Sequence, residues 1–76
     1  MIEISQTLDV RGQSCPLPIV RAAQAIKALS PGQLLEVLAT DPGSVPDFRA
    51  WSRSTGNDLV AQSAEDGIFR FVVRKG

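Results

Sequence analysis

The sequence predicts an α/β chain of the α+β type: a two-layer sandwich ordered βαβαββ, with a mixed four-stranded sheet and two helices on one face. Three observations lead there. Short apolar runs alternate with two segments of helical spacing. Glycine and proline punctuate the chain at Gly12, Pro31-Gly32, Asp41-Pro42-Gly43, Gly56-Asn57 and Asp66-Gly67, which gives six segments. The last two segments alternate around Asp66-Gly67, a type I′ hairpin signal. If the first two strands are parallel, right-handed connections return both helices to the same side of the sheet.

Residues 2–10 carry Ile2, Ile4, Leu8 and Val10 and read as a strand ending near Val10. Residues 16–29 place Ile19, Val20, Ala23, Ile26 and Leu29 on one helical stripe, with Arg21, Gln24 and Lys27 on other faces. Residues 34–39 read as a strand buried on one face. Leu34 and Leu38 lie on the Glu36 side, which makes the opposite face partly apolar. Ser44 and Asp47 form a weak capping box for a second helix. Pro46 falls in its first turn, Val45, Phe48 and Trp51 follow at helical spacing, and Gly56 is a C′ stop. Residues 58–65 and 68–74 form the hairpin, with Phe69, Phe71 and Val73 facing one way and Arg70 and Arg74 the other. Trp51, Phe48, Phe69 and Phe71 are expected mainly in the core. The 76 residues suffice for one domain, 1–76, because halves of this length could not each bury a core.

Composition excludes several chemistries. Eight Lys and Arg balance eight Asp and Glu, so no global field marks a nucleic-acid or anionic-membrane binder, and direct nucleic-acid binding is not expected. One cysteine excludes an internal disulfide and any multi-cysteine zinc site. The absence of histidine excludes Cys-His and Ser-His pairs and imidazole metal ligands. No metal and no cofactor are expected. No apolar run approaches a membrane span, and residues 1–6 lack the features of a signal peptide, so a cytoplasmic location is expected.

The thiol is the remaining candidate for chemistry. Pro16 disfavours helical dihedrals at Cys15, which places Cys15 at the helix N-cap or just before it. Pro16 then fits N1 and Pro18 about N3. A sulfur at a helix N-terminus lies near partial positive charge and free N–H donors, which favour thiolate or persulfide anion. Gly12 allows positive φ or close backbone approach in the preceding loop. Cys15 is expected to be at least partly exposed.

Cys15-Pro16-Leu17-Pro18 resembles the Cys-Pro-x-Pro signature of the TusA/SirA-like sulfur carriers, and Leu8-Asp9-Val10-Arg11-Gly12 is similar to the family's Leu-Asp-x-x-Gly stretch. Leu35 to Ser44 and the closing strand through Arg74-Lys75-Gly76 look similar to it as well, so the resemblance runs from Thr7 over essentially the whole chain. It implies the βαβαββ fold and a Cys15 that carries sulfur as a persulfide. Sulfur would come from a cysteine desulfurase or rhodanese-like donor and pass to the cysteine of an acceptor sulfurtransferase protein. Such relays feed tRNA thiolation, sulfur oxidation or molybdenum-cofactor biosynthesis. Pro16 and Pro18 would shape the turn, while Asp9, Gly12 and Asp41 match loop positions of the family. There are two departures. Leu17 stands where some tRNA-pathway members carry Glu, which bears on partner choice. Ser52 follows Trp51 where many members have a cysteine, so a two-cysteine switch is ruled out.

Other residues carry alternatives. Asp9 and Asp41 either handle protons near Cys15 or cap loops. Asp41-Pro42-Gly43-Ser44 either binds an anion or forms a loop and cap. Arg49 and Arg53, four apart on the second helix, either contact a partner or form a solvated face, and Arg70, Arg74 and Lys75 pose the same choice. Arg11 and Arg21 are further candidates for stabilising a thiolate, although helical spacing does not put Arg21 on the Cys15 face. The alternative function is a non-catalytic interaction or regulatory module that does not need Cys15.

Overall fold

The structure is a computed structural model that describes residues 3–14 and 16–76. Its elements run β1 (Gln6–Val10), α1 (Leu17–Ile26), β2 (Leu34–Ala39), α2 (Ser44–Thr55), β3 (Asp58–Glu65) and β4 (Ile68–Arg74). The sheet order is β1-β2-β4-β3. β1 pairs parallel with β2, and β4 pairs antiparallel with both β2 and β3. The expected mixed sheet and element order are therefore present.

Alternation builds the core. In β2, Leu35, Val37 and Ala39 are fully buried, while Leu34, Glu36 and Leu38 are half-buried on the other face. The buried set meets Val10 of β1, Phe71 and Val73 of β4, Ala22 and Ile26 of α1, and Phe48 of α2 in one cluster. Both helices thus cover one face. Phe48 stacks on Phe71 with ring centroids 4.5 Å apart and meets Trp51 edge-on at 5.9 Å. Such pairs add to the area they bury. Trp51 and Phe69 are only partly buried against this cluster, so Phe48 and Phe71 are its aromatic centre.

The bare face is more polar than Leu34 and Leu38 suggest. Glu36 accepts from Thr7 Oγ1 at 2.9 Å and pairs with Arg70 Nε. The Arg70 hydrogen bond, then that of Thr7, holds the Glu36 carboxyl below its ordinary range. Val72 on this side is fully buried. The β3–β4 register slips between Leu59 and Ala61, which leaves Val60 as an extra, exposed residue.

Several local expectations shift. β1 begins at Gln6, not residue 2, although Ser5 N–H already donates to the Leu34 carbonyl at 2.9 Å; Ile2 lies outside the described residues. The helix expected over 16–29 ends at Ile26. Ala28 and Leu29 continue it only through i→i−3 bonds, as a tightened last turn, and Lys75 Nζ caps the carbonyls of Lys27 and Leu29. The buried stripe of α1 is Pro18, Ala22 and Ile26; Val20, expected on it, is 43% exposed. Ser44, expected as the N-cap of a capping box, is instead the first residue of α2, and the helix start has no side-chain cap hydrogen bond. Gly43 is the N-cap, and Ser44 Oγ donates backward to the Asp41 carbonyl. The turns match their glycines: Asp66 and Gly67 have φ of 53° and 78°, as type I′ requires, and Gly56 ends α2 at φ 77°.

Candidate functional site

The loop from Arg11 to Ser14 leaves the C-terminal end of β1, and the loop from Thr40 to Gly43 leaves the neighbouring end of β2. Because these strands are parallel, both helices that follow begin at that same end. Cys15 itself lies outside the described residues, so the site is built from its flanks.

The first loop is held at several points. Gln13 N–H donates to the Val10 carbonyl at 3.2 Å, closing a turn whose third residue, Gly12, has φ 83°. A Cβ at Gly12 would meet nothing within 4 Å. The glycine is needed for its left-handed backbone, not for close approach. Gly12 N–H donates to Thr40 Oγ1 at 2.9 Å, which ties the first loop to the second. Asp9 Oδ1 accepts from Arg11 N–H at 3.1 Å and Nε at 2.9 Å, and Oδ2 accepts from Nη2 at 2.8 Å. The side-chain bonds to Arg11, then the backbone one, lower the Asp9 carboxyl from 3.8 to about 2. Asp9 is therefore ionised near neutral pH with no proton to give. The Arg11 guanidinium, a candidate for stabilising sulfur, is engaged by Asp9.

In the second loop Asp41 Oδ1 accepts from Gly43 N–H at 3.2 Å, and the Asp41 carbonyl accepts from Ser44 N–H at 3.0 Å. This is an Asx-type turn that feeds α2. Gln13 adds a feature the sequence reading missed. Its Oε1 is buried and has no hydrogen-bond partner among the described residues. An amide side chain in a polar loop gives no sequence signal of burial.

The head of α1 differs from expectation by one position. Pro16 is the N-cap, with φ −97° and ψ 13°, and Pro18 sits at N2 rather than N3. Neither proline has an N–H, and the Leu17 N–H donates to the Ser14 carbonyl at 2.9 Å. The helix therefore offers fewer free donors than a helix start without prolines. What remains is the summed partial charge of two helix N-termini, α1 and α2, at the same end of the sheet. That field favours an anion over a neutral group. Leu17 is 50% exposed beside the prolines.

Arg49 and Arg53 do share a face. With Ser52 and Leu59 they line a shallow groove between α2 and β3, away from the paired loops. Ser52 is a latch. Its Oγ donates to the Asn57 carbonyl at 2.6 Å and accepts from Leu59 N–H at 3.1 Å. A second groove, lined by Glu3, Ser5, Gln33, Leu34, Val60 and Arg74, opens on the bare face at the far end of the sheet from these loops. No helix among the described residues is long and apolar enough to cross a membrane.

The chain is similar to known proteins over nearly its full length. It is 49% identical over 75 residues to a protein of Allochromatium vinosum named sulfur carrier protein TusA, covering 99% of each chain. A protein of that name from Pseudomonas syringae pv. tomato is 35% identical, covering 97% of this chain and 88% of its own. The crystal structure of a SirA-like protein from Desulfitobacterium hafniense superposes with a TM-score of 0.82 at 26% identity, covering 93% of this chain and 97% of that one. The family model described as Sulfurtransferase TusA matches residues 6–75, from the first residue of β1 to the last but one of the sequence, and with the same order of strands and helices the chain belongs to that family.

Proposed function

We propose that this chain is a sulfur carrier that holds a persulfide on Cys15 and passes its terminal sulfur to a cysteine of an acceptor protein. The observation that carries the reading is positional. The only thiol of a chain 49% identical to a named sulfur carrier falls between a loop pinned at Asp9, Gly12 and Thr40 and the first turn of α1.

The chemistry is thiol–persulfide exchange. The Cys15 thiolate attacks the terminal sulfur of a donor R–S–SH. The new S–S bond forms at Cys15, the donor S–S bond breaks, and R–S⁻ leaves, so charge and oxidation state balance. An acceptor thiolate then attacks the terminal sulfur of Cys15–S–SH, and Cys15 leaves as thiolate. One sulfur moves per cycle, which makes the protein a stoichiometric carrier. Two helix N-termini favour the anionic sulfur at each stage. Asp9 and Asp41 act through the shape of the loops, and Pro16 and Pro18 through the rigid start of α1. The donor is a protein persulfide of the cysteine desulfurase or rhodanese-like kind, the acceptor is a sulfurtransferase, and exchange takes place in the cytoplasm. Donor and acceptor decide which relay is served: tRNA thiolation, sulfur oxidation or molybdenum-cofactor biosynthesis.

Intact mass after incubation with a cysteine desulfurase and cysteine tests the reading. The expected gain is about 32 Da, reversed by dithiothreitol and absent in Cys15→Ser. Loading that survives in a folded Cys15→Ser protein would refute it.

A further inference from the structure

The zero net charge conceals a separation of charge between the two layers. The helices and the cap of α1 carry Arg21, Lys27, Arg49 and Arg53 against Asp47 alone, a surplus of three positive charges. The strands and loops carry the compensating surplus of three negative charges. Their cations are largely spent in pairs: Arg11 with Asp9 at 2.8 Å, Arg74 with Asp58 at 2.6 Å, and Arg70 with Glu36. Arg21, Lys27, Arg49 and Arg53 are all exposed and enter none of these pairs. The positive layer also presents apolar surface. Of the exposed large hydrophobic side chains among the described residues, Leu17 (50%) and Val20 (43%) lie three apart in the first turn of α1, two and five positions after Cys15. Burying them inward is impossible, since Pro18, Ala22 and Ile26 already fill the contact with the sheet.

We propose that the outer side of the helix layer is the docking face for a protein partner whose reactive cysteine sits in an acidic surface, with Leu17 and Val20 as the apolar contact and Arg21, Lys27, Arg49 and Arg53 as the steering field. The proposal rests on the carrier reading above and adds the kind of partner. Complementary fields raise encounter rates and reject like-charged partners, and a small apolar contact two to five residues after Cys15 in the sequence holds a partner at this end of α1. A protein is favoured over RNA because the exposed apolar pair Leu17 and Val20 runs directly into Arg21, and the described surface of the helix layer carries one aromatic, Trp51, which is partly buried in the core.

Two synthetic peptide persulfides of equal length test this, each with one cysteine between leucines, flanked either by glutamates or by lysines. Transfer to Cys15 is followed by intact mass at about 20 mM and about 300 mM salt, either side of the screening range. The acidic peptide is expected to load about tenfold faster at low salt, with the advantage shrinking at high salt. In Arg49→Glu/Arg53→Glu the ratio of the two rates is expected to fall toward one. In Leu17→Ser both rates fall and the ratio stays. Equal loading of the two peptides at low salt would overturn the proposal, as would a ratio unchanged in the double variant. Binding of tRNA that the double variant abolishes would reassign the field to RNA and overturn it too. A persulfide of a small uncharged thiol separates the two levels. If it fails to load the wild-type protein, the carrier reading fails; if it loads while the peptides do not differ, only the docking face fails.

Discussion

Asp9 stays ionised well below the pH at which most carboxylates take up a proton, because both its oxygens are engaged by Arg11. A carboxyl whose folded value is depressed contributes fully above its unfolded value near 4 and loses that contribution as pH falls through the folded one. The Asp9–Arg11 clasp is therefore intact from neutral pH to about 4 and opens as pH approaches about 2. Carboxyl-carbon NMR should give an Asp9 midpoint near 2, and Arg11→Ala should return it toward 3.8. Gly12 makes a second prediction at this scale. Its φ of 83° is costly for any side chain, while the space around it is open. Gly12→Ala should cost roughly 1–2 kcal/mol, seen as a fall of about 4–16 °C in the thermal midpoint. A loss within a few tenths of a degree would show that the loop relaxes to negative φ.

At the level of elements, the weight rests on α2 through Phe48. It is fully buried, stacked on Phe71 and edge-on to Trp51. Phe48→Ala should cost about 3–5 kcal/mol, comparable to the whole stability of a domain this small, and circular dichroism should find it largely unfolded at room temperature. Phe48→Leu should stay folded with a lower urea midpoint. The strands and the hairpin were legible in the sequence because period-two burial and Asp66-Gly67 are local signals that tertiary contacts reinforce. The helix ends were not. Pro16 reads equally well as N1 or N-cap, and only the Leu17–Ser14 bond decides. Val20 fits an apolar stripe by spacing, yet Pro18 and Ala22 take the contact and turn Val20 outward. The motif around the candidate Cys15 was legible in the sequence, whereas the Gly12–Thr40 tie depends on two loops meeting, which no single segment announces.

For the molecule as a whole, protection should follow position in the sheet. β2 and β4 are flanked on both sides, and Leu35, Val37, Phe71 and Val73 are fully buried. β1 has five residues and one neighbour. Amide hydrogen exchange should find β2 and β4 opening only with global unfolding, and the outward amides of β1 exchanging sooner. Uniform protection across the four strands would contradict this order. The same order bears on synthesis. Strand β4, between β2 and β3, is the last of the four strands made. Until residues 68–74 leave the ribosome, the second edge of Leu34–Ala39 has no partner in its own chain. β3 meanwhile waits beside a gap, since it touches the sheet only through β4. The sheet therefore closes in one late event rather than strand by strand, and a nascent chain stalled before Ile68 exposes an apolar edge open to pairing with another chain.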